Sequence, residues 1–125
     1  VIYLDPGDLF RIAEAATGSA PAVRNAGLMV SSTSRPQRSE SGRDAYPTLH
    51  DKAAALMHTL LRNRPLGAGN GQLAWAATAV FLDANGAPPG LTQRDAVDLV
   101  VAVADGTIDE VGVIAERLRG SDPAG

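Results

Sequence analysis

The segment from Gln72 to Asn85 most constrains what this chain can fold into. Leu73, Ala74, Ala76, Ala77, Val80 and Phe81 leave a helix there with little polar surface on any side. A helix apolar nearly all round belongs in the interior of a domain, with other helices packed about it. Its alanines permit close neighbours. The expected fold is therefore all-α: a compact domain of five to six helices around a central one, with 72–85 the most deeply buried. Trp75 is expected to pack in that core, the alternative being the wall of a pocket beside the preceding loop.

Cap signals place the other helices. Asp5-Pro6-Gly7-Asp8 supplies an N-cap, a proline at the first helical position and an acid at the third. A helix over 6–16 follows, with Leu9, Ile12, Ala13 and Ala16 inward. Thr48 and Asp51 open another, ending near Arg62 or Asn63. Thr92 to Asp95 and Thr107 to Glu110 open the last two, which close at Asp105-Gly106 and at Gly120. Asp95, Asp98, Asp109 and Glu110 read as caps and solvent faces, not as an acid–base pair. A short helix is predicted over 25–32. Val1 to Leu4 suits one short strand, too little for a sheet core. Residues 33–46 carry little apolar content beyond Tyr46 and read as a mobile surface loop or a disordered insertion. No repeat or linker divides the chain, so one domain is expected over 1–120, with a flexible tail at 121–125.

Composition sets the outer limits. A chain of 125 residues and 12.9 kDa can bury a core without covalent staples. With no cysteine it forms no disulfide, thiolate metal site or cysteine nucleophile. Eleven basic against fourteen acidic residues, a formal charge of -3, argue against a broad nucleic-acid or anionic-membrane surface. No apolar run reaches the length of about 18 residues that a membrane helix needs. The first residues show neither a basic leader nor a long apolar stretch. A cytoplasmic protein, with no membrane and no direct nucleic-acid partner, is the resulting expectation.

Chemistry is most legible from Arg64 to Gly71. Three glycines and an asparagine precede the central helix. Glycines let backbone amides approach a ligand closely, and the first turn of the next helix adds free N–H groups and a positive dipole end. Such a place suits a phosphate or another anion; the alternative is a tight connection between two packed helices. It is not a P-loop, because no Lys-Ser or Lys-Thr follows the glycines and no strand precedes them. His50 and His58, eight residues apart on one helix, lack a further ligand for a metal and read as surface histidines.

Arg64-Pro65-Leu66-Gly67-Ala68-Gly69-Asn70-Gly71-Gln72-Leu73-Ala74 resembles the signature of the Fic/Doc superfamily, and the flanks resemble its Doc, or death-on-curing, branch. The usual motif runs His-Pro-Phe, two variable or acidic positions, Gly-Asn, Lys or Gly, then Arg. Asn25-Ala26-Gly27-Leu28 through Arg35-Pro36-Gln37, Tyr46-Pro47-Thr48-Leu49 and Phe81-Leu82-Asp83-Ala84-Asn85-Gly86 resemble family stretches as well. The resemblance implies an all-helical domain of a bacterial toxin–antitoxin locus. Its members transfer AMP or phosphate from ATP to a protein hydroxyl, on a translation elongation factor in the Doc branch, and a small antitoxin neutralises them.

Position by position, the resemblance also implies a damaged motif. The general-base histidine corresponds to Arg64, the acid that helps hold Mg²⁺ to Ala68, and the phosphate-clamping arginine to Gln72. A guanidinium stays protonated and cannot act as base, a methyl group offers a metal no oxygen, and an amide is a weaker phosphate partner than a guanidinium. Arg64 retains a positive charge for an anion. Gly69, Asn70, Gly71 and Leu73 are expected to form an anion or nucleotide site, and Arg35, Arg38 and Tyr46, in the segment related to the target-binding flap, to meet a target or partner; a solvated loop explains them equally. The resulting expectation is a catalytically impaired toxin-family protein that acts by protein binding or regulation. The alternatives are an active ATP-dependent transferase and a structural relic. No cofactor is required, ATP or another phosphate-bearing ligand binds weakly, and Mg²⁺ is not expected. The partners are a small antitoxin and a translation elongation factor, and the chain is a monomer or a small homo-oligomer.

Overall fold

The structure, a computed structural model, describes residues 1–120; the expected tail at 121–125 lies outside the described residues. Six helices follow in order: α1 (Pro6–Thr17), α2 (Ala26–Ser34), α3 (Leu49–Asn63), α4 (Asn70–Ala84), α5 (Gln93–Ala104) and α6 (Val111–Arg119). Between α2 and α3 lie a 3-10 turn (Arg35–Gln37) and a two-stranded antiparallel hairpin, β1 (Ser39–Glu40) and β2 (Arg43–Asp44). The expected all-helical architecture holds, with that small hairpin as an addition.

Caps set the ends where the sequence placed them. Asp5 accepts a hydrogen bond from the Asp8 N–H at 2.7 Å, and the Asp8 carboxylate accepts one from the Asp5 N–H at 2.9 Å. Thr48 and Asp51 make the same reciprocal pair at the start of α3, and Thr92 caps α5 through the Asp95 N–H. Three expected boundaries shift by two residues or more. α2 continues to Ser34, α4 starts at Asn70, two residues before the expected Gln72, and the last helix starts at Val111 rather than at Thr107, whose N–H instead bonds the Asp105 carboxylate.

The centre of the molecule is α3, not α4. Nine of the fifteen residues of α3 are buried, against six of fifteen in α4. α3 packs against α4, α6, α5, α2 and the 3-10 turn, while α4 meets chiefly α3 and α1. The outer side of α4 keeps Val80 exposed and Trp75 half-buried, which corrects the expectation that 72–85 is the most buried helix. Alanines still bring the two helices together: Ala53, Ala54, Ala74 and Ala77 lie in one core with Leu56, Met57, Leu60, Phe81 and Leu82. Buried polar groups are satisfied locally. Thr78 bonds the Ala74 carbonyl at 2.7 Å and Ser32 the Leu28 carbonyl at 2.6 Å, and among the described residues no buried side-chain polar atom lacks a partner.

Two segments differ from expectation. Val1 to Leu4 forms no strand. The Asn85 side chain stands in for a neighbouring strand: its Oδ1 accepts the Ile2 N–H at 2.7 Å and its Nδ2 donates to the Ile2 carbonyl at 2.8 Å. Residues 33–46 form not a featureless loop but the end of α2, the 3-10 turn and the hairpin. The hairpin turns at Ser41 and Gly42, both at positive φ (53° and 76°), the backbone that tight two-residue hairpins require. Lys52, the only lysine of the chain and almost wholly buried, fastens the hairpin to α3 through the Asp44 carboxylate at 3.1 Å and the Tyr46 carbonyl.

Candidate functional site

The loop between α3 and α4 is built by contacts distant in sequence. α3 ends on Arg64, whose left-handed backbone (φ 51°, ψ 66°) turns the chain away from the helix axis. Residues 22–25 then run alongside the loop like a short strand. The Arg24 and Asn25 N–H groups bond the Pro65 carbonyl at 2.7 and 3.1 Å, and the Gly67 N–H bonds the Ala22 carbonyl at 2.7 Å. The Arg24 guanidinium donates to the carbonyls of Arg64 at 2.8 Å and Asn63 at 2.5 Å, and so closes the carbonyl end of α3. Arg24 was not singled out from the sequence. Its partners lie about forty positions away, and no local pattern marks it.

Asn70 and Gly69 fix the turn into α4. Asn70 Oδ1 accepts the Leu66 N–H at 2.9 Å and Nδ2 donates to the Leu66 carbonyl at 3.0 Å. Its side chain is thus committed to the loop, which leaves its backbone N–H, in the first turn of α4, as the group it can offer a ligand. Gly69 caps α4 at φ 86° with no side-chain hydrogen bond. A Cβ there would stand 2.8 Å from Thr17 Cγ2, so both backbone and space demand glycine. The Leu73 side chain is wholly buried and its N–H bonds the Gly69 carbonyl at 2.9 Å, so of the expected anion-site residues it is the one whose N–H is already used within the helix.

The first turn of α4 opens on a cleft of about 410 Å³, lined by Leu61, Arg64, the loop from Gly67 to Gly71, and Val101, Ala104 and Asp105 of the α5 end. Arg64 is exposed, and among the described residues its guanidinium has no hydrogen-bond or ion-pair partner. The same cleft is lined by a carboxylate, Asp105, that the sequence marks only as a helix terminus. Hydrogen bonding from Thr107 holds Asp105 below the usual carboxylate range, with the Arg62 charge adding to it. The cleft therefore carries both signs of charge. Gln72 is exposed and lies in an adjoining apolar hollow of about 500 Å³ with Trp75, Ala96, Val97 and Val100. Gly71 and Val101 border both spaces. Trp75 is therefore partly a core residue and partly a pocket wall, not a fully packed ring.

The flap residues do not line this cleft. Arg35 and Tyr46 engage each other: Arg35 Nε donates to the Tyr46 hydroxyl at 3.0 Å and its guanidinium sits 5.6 Å from the ring centroid. Arg38 is exposed. His58 is not the surface residue expected. Its ring lies between Arg35, at 2.7 Å from Nδ1, and Asp109, at 2.8 Å from Nε2. Asp109 is accordingly more than a solvent-face acid: the His58 hydrogen bond first, and the Arg62 charge after it, hold its carboxyl below the usual range. His50 is half-buried near the start of α3, and burial, then the charge of Arg119, lowers its pKa. Among the described residues no three histidine or carboxylate groups converge on a point where a metal would sit, and no helix is long and apolar enough to cross a membrane.

Residues 3–82, from the N-terminal segment through α4, match the model of the Fic/DOC family, and the chain belongs to that family. It is similar to the Toxin Doc of Mycolicibacterium smegmatis (strain ATCC 700084 / mc(2)155), with 46% identity over 84 residues, and is thus a Doc-like member. The alignment covers 67% of this chain and 65% of the relative's length. The family match ends within α4, so the α5 wall of the cleft, Asp105 included, lies outside it.

Proposed function

We propose that this Doc-like protein has lost transfer chemistry and acts by protein binding or regulation in a toxin–antitoxin setting, with a small antitoxin as partner and a translation elongation factor as the ancestral target. The observation that carries the reading is the side-chain set around the α4 turn. Arg64 stands on the rim of the cleft where the family motif has its base, Ala68 where it has its acid, and Gln72 faces the neighbouring hollow where it has its phosphate clamp. A missing base alone costs about 10²–10⁴ in rate, and unmatched charge on the transferring group costs more. The donor set does not suit Mg²⁺, which prefers carboxylates and phosphate oxygens in octahedral array. Among the described residues Asp105 is the one carboxylate lining the cleft, and it already accepts the Thr107 N–H at 2.8 Å.

Anion binding survives in this reading, weakly. The N–H groups opening α4 and the Arg64 charge favour a phosphate, and Asp105 opposes it. In an ATP titration followed by amide shifts, residues 69–72 should respond at millimolar ligand, equally with and without Mg²⁺. Asp105→Asn should tighten binding severalfold, and Arg64→Ala should weaken it. Catalysis is tested with ATP labelled separately on the α and γ phosphates. The unmodified protein should transfer neither label to an elongation factor. The triple variant Arg64→His, Ala68→Asp, Gln72→Arg should regain some transfer and each single reversion none, because such groups act as a unit. Robust transfer by the unmodified protein, abolished by Arg64→Ala, would overturn the proposal and make Arg64 part of a working mechanism.

A further inference from the structure

Of the attachments that hold residues 35–46 to the rest of the molecule, the one through Arg35 turns on a single imidazole. The His58 side chain is 17% exposed and is hydrogen-bonded at both nitrogens. A guanidinium has only N–H donors, so the Arg35 contact at 2.7 Å requires Nδ1 to accept. The ring proton is then on Nε2, where it donates to Asp109 at 2.8 Å. The arrangement needs the neutral Nε2–H tautomer. We infer that His58 is a protonation-sensitive latch, which in its neutral form holds the 35–46 segment against α3 through Arg35 and lets it loosen when the ring takes a second proton.

The direction follows from what faces the ring. Protonation places an N–H against the N–H of Arg35 and a cation against a cation, so that contact is lost. On the opposite side the imidazolium keeps its Asp109 bond and gains a charge pair. Arg62, one turn along α3, lies 3.7 Å from the same Asp109 oxygen and holds that acid in place. Among the described residues no other ionisable group hydrogen-bonds or ion-pairs with the ring. α2 contains no ionisable residue, and Arg119 of α6 bonds Thr48 at the far end of α3. Release is therefore on the Arg35 side, and it carries Tyr46, which Arg35 bonds at 3.0 Å. Lys52 still holds Asp44 and the Tyr46 carbonyl, so the segment loosens on a tether rather than detaching. None of these groups lines the α4 cleft, and the latch does not rest on the functional reading of that cleft.

The test is ¹⁵N NMR of the imidazoles, with amide exchange, on the full chain between pH 8 and pH 5. At pH 8 the His58 Nε2 should show the protonated shift and Nδ1 the unprotonated one. As the His58 ring titrates, exchange at amides 35–46 should rise about tenfold or more, the worth of one charge-assisted hydrogen bond. That rise should follow the His58 curve and not the His50 curve. His58→Gln accepts from Arg35 and donates to Asp109 without titrating, so it should keep the segment protected at both pH values. An Nδ1–H tautomer at pH 8 would overturn the latch. So would a 35–46 response that persists in His58→Gln, or its absence in the wild type while His58 titrates.

Discussion

Gly69 sits where the chain enters α4, at φ 86° and with Thr17 directly across from it. Gly69→Ala should destabilise the fold by about 1–3 kcal/mol, through left-handed backbone strain and the clash with the Thr17 methyl. Adding Thr17→Ser removes the methyl but keeps a hydroxyl for the Ala13 carbonyl, so urea melts of the pair should recover the steric part alone. Asn70 invites the opposite test. Both ends of its amide bond the Leu66 backbone, so Asn70→Ala should cost about 2 kcal/mol through two orphaned backbone groups. Asn70→Asp should cost a similar amount, since it turns a donor toward the Leu66 carbonyl into a second acceptor. Glycine and asparagine at these positions were legible in the sequence as special. That one is a steric necessity and the other a brace required the positions of Thr17 and Leu66.

Among the elements, α3 and α4 exchange the burial that their sequences suggest. α4 is the more apolar, yet the side bearing Trp75 and Val80 is left half-buried or exposed, because among the described residues α4 packs chiefly on α3 and α1. α3 carries Lys52, His58 and Thr59 among its inward positions, and each finds a partner: Asp44 with Tyr46, Arg35 with Asp109, and the Asn63 amide. Apolar composition permits burial without compelling it, and a polar side chain can be buried once its hydrogen bonds are met. For the same reason Trp75→Ala should cost about 1–2 kcal/mol in a denaturant melt, below the ~3–5 kcal/mol of a fully packed ring. A loss in the higher range would place the indole in the core after all. The 3-10 turn and hairpin were illegible for a related reason. Their anchors are single side chains, Arg35 and Lys52, reaching across to α3, and no periodicity of residues 33–46 announces them.

At the scale of the whole molecule, the two ends of α3 join distant parts of the chain, and His50 makes one such junction sensitive to pH. Burial and the nearby Arg119 of α6 lower its pKa in the fold, so the unfolded chain binds the proton more readily. Stability from this group is present above the unfolded histidine value of about 6.5 and is lost as pH falls below it. His50→Gln should therefore reduce the drop in the urea midpoint between pH 7.5 and pH 5.5 relative to wild type. An unchanged or steeper drop would assign the acid sensitivity elsewhere.

The sequence alone determined the helical class, the helix starts at Asp5, Thr48 and Thr92, and the special character of the turn from Arg64 to Gln72. These depend on contacts within four residues, which a cap or a glycine announces in its own neighbourhood. Only the tertiary structure decided the rest: that α3 is the hub, that Arg24 and residues 22–25 brace the turn, that Asp105 shares the cleft with Arg64, and that His58 bridges Arg35 and Asp109. Apart from the hub, each of these brings together groups 23 to 51 positions apart in the chain. Such meetings depend on how the helices pack, and helix packing is chosen by the fit of whole surfaces, not by any short stretch of residues.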